Sequence, residues 1–227
     1  EQLFLQLGRD VMQLKTNKRQ DPSQVRFHRI LKGLRAKEEE DALSESDIQY
    51  LYTFLLHPDN DRFTKQEMLT ITERSTWLFA NKAPRNLRNM KKMFELHSTL
   101  NPVARIHAKP ESKIIQDSHF GEDSILRILR ICIGCRVSIC ARNINPDWAL
   151  FNGSIGVVMD IVFASDQSPQ NRDLPLYILV DFDQYCGPQF HDSLPKTYVP
   201  IVPETIRCSR NCCRMTQIPL QLAFAKT

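Results

Sequence analysis

The chain has 227 residues, of which 25% are charged and 42% hydrophobic, and its formal net charge is +4. This composition is ordinary for a soluble globular protein with one large or two small cores. No apolar run approaches the roughly 20 residues of a membrane-spanning helix. A charge of +4 permits a nucleic-acid partner without requiring one. Whether the protein binds nucleic acid therefore has to be judged from where the basic residues lie.

The first predicted elements are a strand over residues 11–14 and a helix over residues 24–34, whose apolar residues recur at helical spacing. Between them lies Arg19, which on its own is most simply read as a surface charge. Ser44 is predicted to cap the start of a second helix.

A short buried strand is predicted over residues 76–80, followed by a helix over residues 84–98. Basic residues recur every three positions along this segment, and an apolar set faces the other way. The basic set is Lys82, Arg85, Arg88 and Lys91, and the apolar set is Leu87, Met90, Phe94 and Leu96. In open α/β sheets, ligands bind where strands pass into helices at the carboxyl edge. The alternative is a basic face that is simply solvated.

The character of the chain changes after a predicted strand over residues 105–108 and an irregular polar stretch over residues 108–123. Strands then dominate, over residues 136–140, 155–163, 176–182 and 197–201. Four or five short strands without helices are typical of a small barrel.

The first two of these strands flank a polar turn and form the most informative part of the chain. Asn152-Gly153 supplies residues that accept a positive φ, as a tight turn requires. Gly134 and Gly156 lack a Cβ atom, so another backbone can approach closely there. We therefore predict a β-ribbon with a polar, glycine-containing tip.

Seven cysteines are spread through apolar runs without a disulfide spacing, which indicates a reducing compartment. One C-x-x-C pair and a later group of three suggest zinc: Cys132, Cys135, Cys208, Cys212 and Cys213. The pair leads into an alternating strand, however, where the two thiols would face opposite ways. His119 and His191 have no partner at a ligand spacing. We predict no metal site, and a zinc-bound adaptor is the alternative.

The ribbon also carries a resemblance to a known family. G-x-R-V, then N-I, then L-x-N-G-x-x-G-x-V resembles the signature of the Pif1-like ATP-dependent DNA helicases of superfamily one B, which include Helitron-type helicases. The matching residues are Gly134, Arg136, Val137, Asn143, Ile144, Leu150, Asn152, Gly153, Gly156 and Val158. Other blocks resemble the family in order: N-K-R-Q-D where the family has N-x-R-Q-x-D, then L-F-A-N, V-P-I and P-L-x-L-A-F-A-x-T. Lys226 stands in the last block where the family has an apolar residue.

The resemblance implies roles for particular residues. Arg19 would reach the γ-phosphate of ATP bound on a preceding domain, with Gln20 in support, because a fixed fork of donors suits the charge that builds during phosphoryl transfer. Four residues would contact DNA: Asn81, Lys82, Asn152 and Thr227. The implied cofactors are ATP and Mg²⁺, bound mainly by the upstream domain.

The fold that the resemblance implies is α/β plus β. It is a partial RecA-like (P-loop NTPase-type) second helicase domain with an inserted small Src-homology-3-like β-barrel. The expected division is residues 1–107 for the RecA-like domain, 108–124 for a linker, 125–207 for the barrel and 208–227 for the return to the RecA-like domain.

The implied function is that of a C-terminal fragment of an ATP-dependent DNA helicase. The resemblance implies unwinding in the five-prime to three-prime direction, in DNA repair, recombination or telomere maintenance. The expected location is the nucleus, with the mitochondrion as an alternative. The expected partners are single-stranded DNA and duplex junctions, with no membrane, and the protein is expected to be monomeric.

The sequence contains no G-x-x-x-x-G-K-[ST] phosphate-binding loop. No signal peptide is visible, and the chain opens at Glu1 rather than Met, so we expect it to be a piece of a longer protein whose P-loop domain lies upstream. Alone it is expected to be inactive. The competing interpretation is a non-enzymatic β-barrel module that binds nucleic acid or protein through the basic helix.

Overall fold

The computed structural model describes residues 21, 23–35, 43–57, 59–111, 120, 124–208 and 210–227. The chain divides into two compact units, Glu1–Arg74 and Ser75–Thr227. None of the described helices combines the length and hydropathy that crossing a bilayer requires. The predicted strand over residues 11–14 and the candidate residues Arg19 and Gln20 lie outside the described residues.

The described part of the first unit is helical. It contains α1 (Val25–Arg35), α2 (Glu45–Tyr52) and α3 (Lys65–Arg74). The predicted helix over residues 24–34 is confirmed as α1, and Ser44 caps α2 by accepting a hydrogen bond from the Asp47 amide. Asp47 is buried, and Arg26 and Arg29 of α1 both pair with its carboxylate, which joins the two helices.

The second unit begins with a two-residue strand, β1 (Trp77–Leu78), and continues into α4 (Lys82–Leu96). β1 pairs in parallel with the last strand, β12 (Ala225–Lys226). The prediction of a buried strand here was wrong, since the Leu78 side chain is 80% exposed. Among the described residues, β12 is the only strand that pairs with β1. β1 is therefore held by a single ladder of backbone hydrogen bonds.

The predicted apolar face of α4 was largely wrong, although its Met90 is partly buried and packs against the main core. Leu87 and Phe94 are exposed, whereas Asn89 and Met93 are the buried residues of the helix. The helix turns Asn89 inward because its amide forms hydrogen bonds with the backbone of β12. Met93 then reaches the main core, one turn further along the same side of the helix.

Five antiparallel strands form the largest sheet, in the order β11-β5-β6-β7-β8. They are β5 (Arg136–Ile139), β6 (Ile155–Val162), β7 (Tyr177–Phe182), β8 (Tyr198–Ile201) and β11 (Leu220–Leu222). The four strands predicted in this region are thereby confirmed, each shorter than predicted by one residue at one end. Buried residues of these strands pack with Met93, Ile106 and Leu129 in one core.

The predicted closed barrel is not confirmed. The sheet is an open ladder among the described residues, with β11 and β8 at its edges. After β8 the chain enters β9 (Glu204–Arg207), which pairs with β10 (Arg214–Gln217) in a separate three-stranded sheet that includes β3 (Lys109–Pro110). β9 and β10 therefore pair with each other and do not close the larger sheet.

A further antiparallel pair joins β2 (Ala104–His107) to β4 (Ile128–Ile131). This pair confirms the strand predicted over residues 105–108 and spans the segment predicted to be a linker. β11 likewise pairs with β5 across another predicted boundary. The domain boundaries inferred from the sequence stay predictions.

The predicted β-ribbon is confirmed as the antiparallel pair β5–β6, in which Arg136 lies opposite Val157. Gly153 has a φ of +99°, a left-handed conformation that favours glycine. At Gly156 an added Cβ would lie 2.5 Å from the Asp181 carbonyl oxygen on β7. The close backbone approach expected at this glycine is therefore present.

Candidate nucleic-acid interface

The candidate site lies at the carboxyl edge of the β1–β12 pair. Because these strands are parallel, their carboxyl ends meet at the same edge. Asn81 and Lys82 follow β1 there, and Thr227 follows β12. Asn81 is the N-cap residue of α4, with extended backbone and no side-chain capping hydrogen bond.

Arg85, in the first turns of α4, connects the helix to the end of β12. Its guanidinium donates a hydrogen bond to the Thr227 hydroxyl at 3.2 Å. Two further guanidinium nitrogens donate to the Asn86 side-chain oxygen, at 3.0 and 2.9 Å. These hydrogen bonds to Thr227 and Asn86 hold the arginine side chain at the sheet edge, beside the end of β12.

Asn89 holds α4 against β12. Its side-chain amide donates to the Ala225 carbonyl at 3.1 Å, and its side-chain oxygen accepts from the Ala225 N–H at 2.8 Å. The asparagine thus satisfies both backbone groups of one strand residue, as a neighbouring strand would. This buried contact fixes the distance between the helix and the strand end.

Lys226 connects β12 to the tip of the β5–β6 ribbon. Its ammonium donates to the Gly153 carbonyl at 3.1 Å. The turn is also held by Asn143, whose side-chain oxygen accepts from the Asn152 amide at 2.8 Å. The pKa of Lys226 lies below its ordinary value, mainly because the ammonium is partly buried and to a smaller extent because the positive charge of Arg136 is near.

These contacts surround a cavity of about 700 Å³. Three cationic and four amide side chains line it, together with apolar residues, and none of the described lining residues has an acidic side chain. The polar lining consists of Arg85, Arg130, Lys226, Asn86, Asn89, Asn152, Gln221 and Thr227. Guanidinium, ammonium and amide groups are the donors that proteins use toward phosphate oxygens. The arrangement can therefore bind a phosphate-bearing strand.

The four basic side chains predicted to form a stripe on α4 lie in different surroundings. Arg85 lines the cavity, whereas the Arg88 guanidinium lies 4.7 Å from the ring centroid of Trp77. Lys82 and Lys91 are exposed. The helix therefore contributes one side chain of the stripe to the cavity.

The structure brings together some of the predicted site residues. Asn152 and Thr227, from distant parts of the sequence, line the same cavity. Asn81 and Lys82 lie at the adjoining sheet edge, but they do not line the cavity. Arg19 and Gln20 fall outside the described residues, so their predicted catalytic role stays a prediction.

Six of the polar lining residues were not predicted as site residues: Arg85, Asn86, Asn89, Arg130, Gln221 and Lys226. Lys226 carried a signal, because it places a charge where the resembled motif has an apolar residue. Arg130 also carried one, as the polar position in the alternating segment that forms β4. Asn89 stands where the resembled family motif also has an asparagine, but its contact with a strand 136 residues away could not be inferred from that match.

The seven cysteines are thiols, and five of them form two groups. Cys132 and Cys135 are fully buried, with their sulfur atoms 3.5 Å apart, and burial raises the pKa of Cys135 to about 12. The second group has its three sulfur atoms within 4.8 Å of one another: Cys208, Cys212 and Cys213. Burial acts to raise the pKa of Cys208, but hydrogen bonds from Cys213 and Cys212 outweigh it and lower that pKa to about 6.

No protein-family model matches the chain, and no curated protein sequence matches it. Solved structures do. A structure of two coordinating Pif1 helicases at forked double-stranded DNA matches with a TM-score of 0.51 at 16% identity, over 93% of this chain and 38% of that one. The Pif1 helicase from Candida albicans matches with a TM-score of 0.55 at 17% identity, over 90% of this chain and 44% of that one.

The chain shares the fold of part of a Pif1 helicase. The likeness is to an incomplete α/β helicase fold, since the chain spans less than half the length of each of these proteins. It agrees with the family that the sequence motifs resemble. At this level of identity the likeness shows the fold alone.

Proposed function

We propose that this chain is the C-terminal part of a Pif1-like ATP-dependent DNA helicase. In this proposal its cationic cavity holds the phosphates of single-stranded DNA. The observation that carries the proposal is the cavity at the carboxyl edge of β1 and β12, with three cationic side chains and no acidic side chain among its described lining residues. The likeness of fold to Pif1 helicases supports the same assignment.

The chemistry of the lining suits a strand backbone rather than a base sequence. Arginine and lysine neutralise phosphate charge, and asparagine amides donate to the remaining oxygens. Polar and apolar side chains both line the cavity, which fits a strand whose phosphates meet the cations and whose bases turn away from them. We therefore expect binding that depends strongly on salt and weakly on sequence.

The test is single-stranded DNA binding by the 227-residue chain, measured by fluorescence anisotropy over a series of salt concentrations. Arg85→Gln removes one cavity cation and is expected to weaken binding. It should also reduce the magnitude of the slope of log association constant against log salt concentration by about 0.7, the value for one lost phosphate contact on a single strand.

The matched control is Lys91→Gln, which removes the same charge from an exposed position of α4 outside the cavity. This variant should keep nearly the wild-type slope. Equal losses in the two variants would show that binding follows net charge and would exclude the cavity as the DNA site.

The catalytic part of the proposal concerns a longer protein that includes a P-loop domain. There ATP and Mg²⁺ are bound mainly upstream, Arg19 contacts the γ-phosphate with Gln20 in support, and unwinding runs in the five-prime to three-prime direction. Arg19→Ala in that protein is expected to abolish DNA-stimulated ATP hydrolysis while single-stranded DNA binding persists. Retained hydrolysis would remove Arg19 from the catalytic role.

We also propose the cellular setting that the family resemblance implies. The protein would act on single-stranded DNA and duplex junctions in repair, recombination or telomere maintenance, as a monomer in the nucleus or the mitochondrion. Co-localisation of the tagged longer protein with sites of exposed single-stranded DNA would be the first observation to make.

A further inference from the structure

The loop between β9 and β10 gathers three thiols. It begins with Cys208 and returns through Cys212 and Cys213, and the Cys208 amide donates to the Cys213 carbonyl at 3.0 Å. Asn211 takes a left-handed conformation with a φ of +56°, which turns the chain sharply inside the loop. The three sulfur atoms consequently lie close together, within 4.8 Å of one another.

The sulfur positions fit a thiolate metal site. A tetrahedral zinc ion with Zn–S bonds of about 2.3 Å places its sulfur ligands about 3.8 Å from one another. Here the sulfur atoms of Cys208 and Cys212 are 3.5 Å apart, and all three lie within 4.8 Å of one another. Small side-chain rotations are enough to reach coordination distances, since no backbone rearrangement has to bring the sulfurs together.

The charges around the loop favour an anionic group at its centre. Arg207 and Arg214 lie directly opposite each other in the β9–β10 ladder, and both are exposed. Like charges in such a pair are destabilising. The Glu111 carboxylate lies 3.9 Å from the Arg214 guanidinium. A zinc ion with three thiolates has a net charge of minus one, which offsets this repulsion from the end of the hairpin.

We propose that Cys208, Cys212 and Cys213 bind one zinc ion through three thiolates, with a water molecule as the fourth ligand. Two of the sulfurs are on buried side chains and Cys212 is exposed, so an ion has a path from solvent. Zinc would crosslink the residues at the end of the β9–β10 hairpin and so stabilise it. None of the three cysteines lines the proposed DNA-binding cavity. The pair Cys132 and Cys135 is a poorer candidate, because both side chains are fully buried and supply two ligands.

The test uses the 227-residue chain, purified with a reducing agent, stripped with a chelator and titrated with zinc, or with cobalt as a spectroscopic substitute. We expect one equivalent of metal, thiolate-to-cobalt charge-transfer absorption and the intense visible bands of a tetrahedral site. Cys212→Ser changes the exposed ligand and should lower zinc affinity by more than the roughly 10–100-fold typical of a lost second-shell partner.

Cys186→Ser is the matched control, because it changes another exposed cysteine outside the group. It should bind zinc like the wild type. Zinc should also raise the melting temperature of the wild type and of Cys186→Ser, but not that of Cys212→Ser. The proposal is overturned if the wild type binds no stoichiometric zinc, if both variants bind equally, or if Cys135→Ser abolishes binding and Cys212→Ser does not.

Discussion

At the scale of single residues, Asn89 is the side chain on which the candidate site depends most. It is buried, and both of its polar groups pair with the backbone of Ala225. Asn89→Ala leaves those backbone groups buried without partners, which costs about 1–3 kcal/mol. We expect that loss in the free energy of unfolding by denaturant. Asn86→Ala, at an exposed position of the same helix, should stay within about 0.5 kcal/mol, and an equal loss there would contradict the argument.

Asp47 gives a second prediction at the residue scale, on pH dependence. Hydrogen bonds from Arg29, then from Ser44, lower the pKa of its carboxyl group below the ordinary value of 3.8. Its folded-state pKa is depressed, so its contribution to stability is present above pH 3.8 and is lost as the pH falls through the lower folded value.

Carbon NMR of the Asp47 carboxyl group should therefore show a midpoint below 3.8, together with loss of the α1–α2 contact signals at lower pH. Asp47→Asn should weaken those signals at neutral pH and remove their dependence on acid. A midpoint at or above the ordinary value would refute the pairing.

At the scale of elements, β6 depends on the close approach of β7. A Cβ atom at Gly156 would lie 2.5 Å from the Asp181 carbonyl oxygen and 2.6 Å from a Val180 methyl group. Gly156→Ala is expected to push the strands apart and to cost about 1–3 kcal/mol of unfolding free energy. Asp160→Ala, at an exposed position of the same strand, is the control. A neutral effect at Gly156 would mean that the two strands have room to separate.

At the scale of the whole molecule, the chain carries part of a helicase fold and no phosphate-binding loop. ATP hydrolysis needs that loop and an acidic Mg²⁺ ligand. The chain alone is therefore expected to show no phosphate release with saturating single-stranded DNA. Hydrolysis that is stimulated by DNA and lost in Arg19→Ala would contradict this prediction.

Much of the second unit was predictable because its signals are local. The strand predicted over residues 155–163 is observed as Ile155–Val162, and the helix predicted over residues 84–98 is observed as Lys82–Leu96. Strand alternation and turn glycines act between neighbours in the sequence, so they can be read without a fold. The burial of α4 was not predictable, because Leu87 and Phe94 look like core residues by type alone.

The sequence by itself determined the order of the elements, the glycine-dependent ribbon and the resemblance to Pif1-like helicases, since each depends on residues close together in the chain. The tertiary structure decided which side of α4 is buried, that the five strands form an open sheet among the described residues, and which side chains share the cavity. Those outcomes depend on pairings such as Asn89 with Ala225, between residues 136 positions apart. A side chain's partner over that distance is set by packing and by the need to satisfy buried hydrogen bonds, which no local pattern encodes.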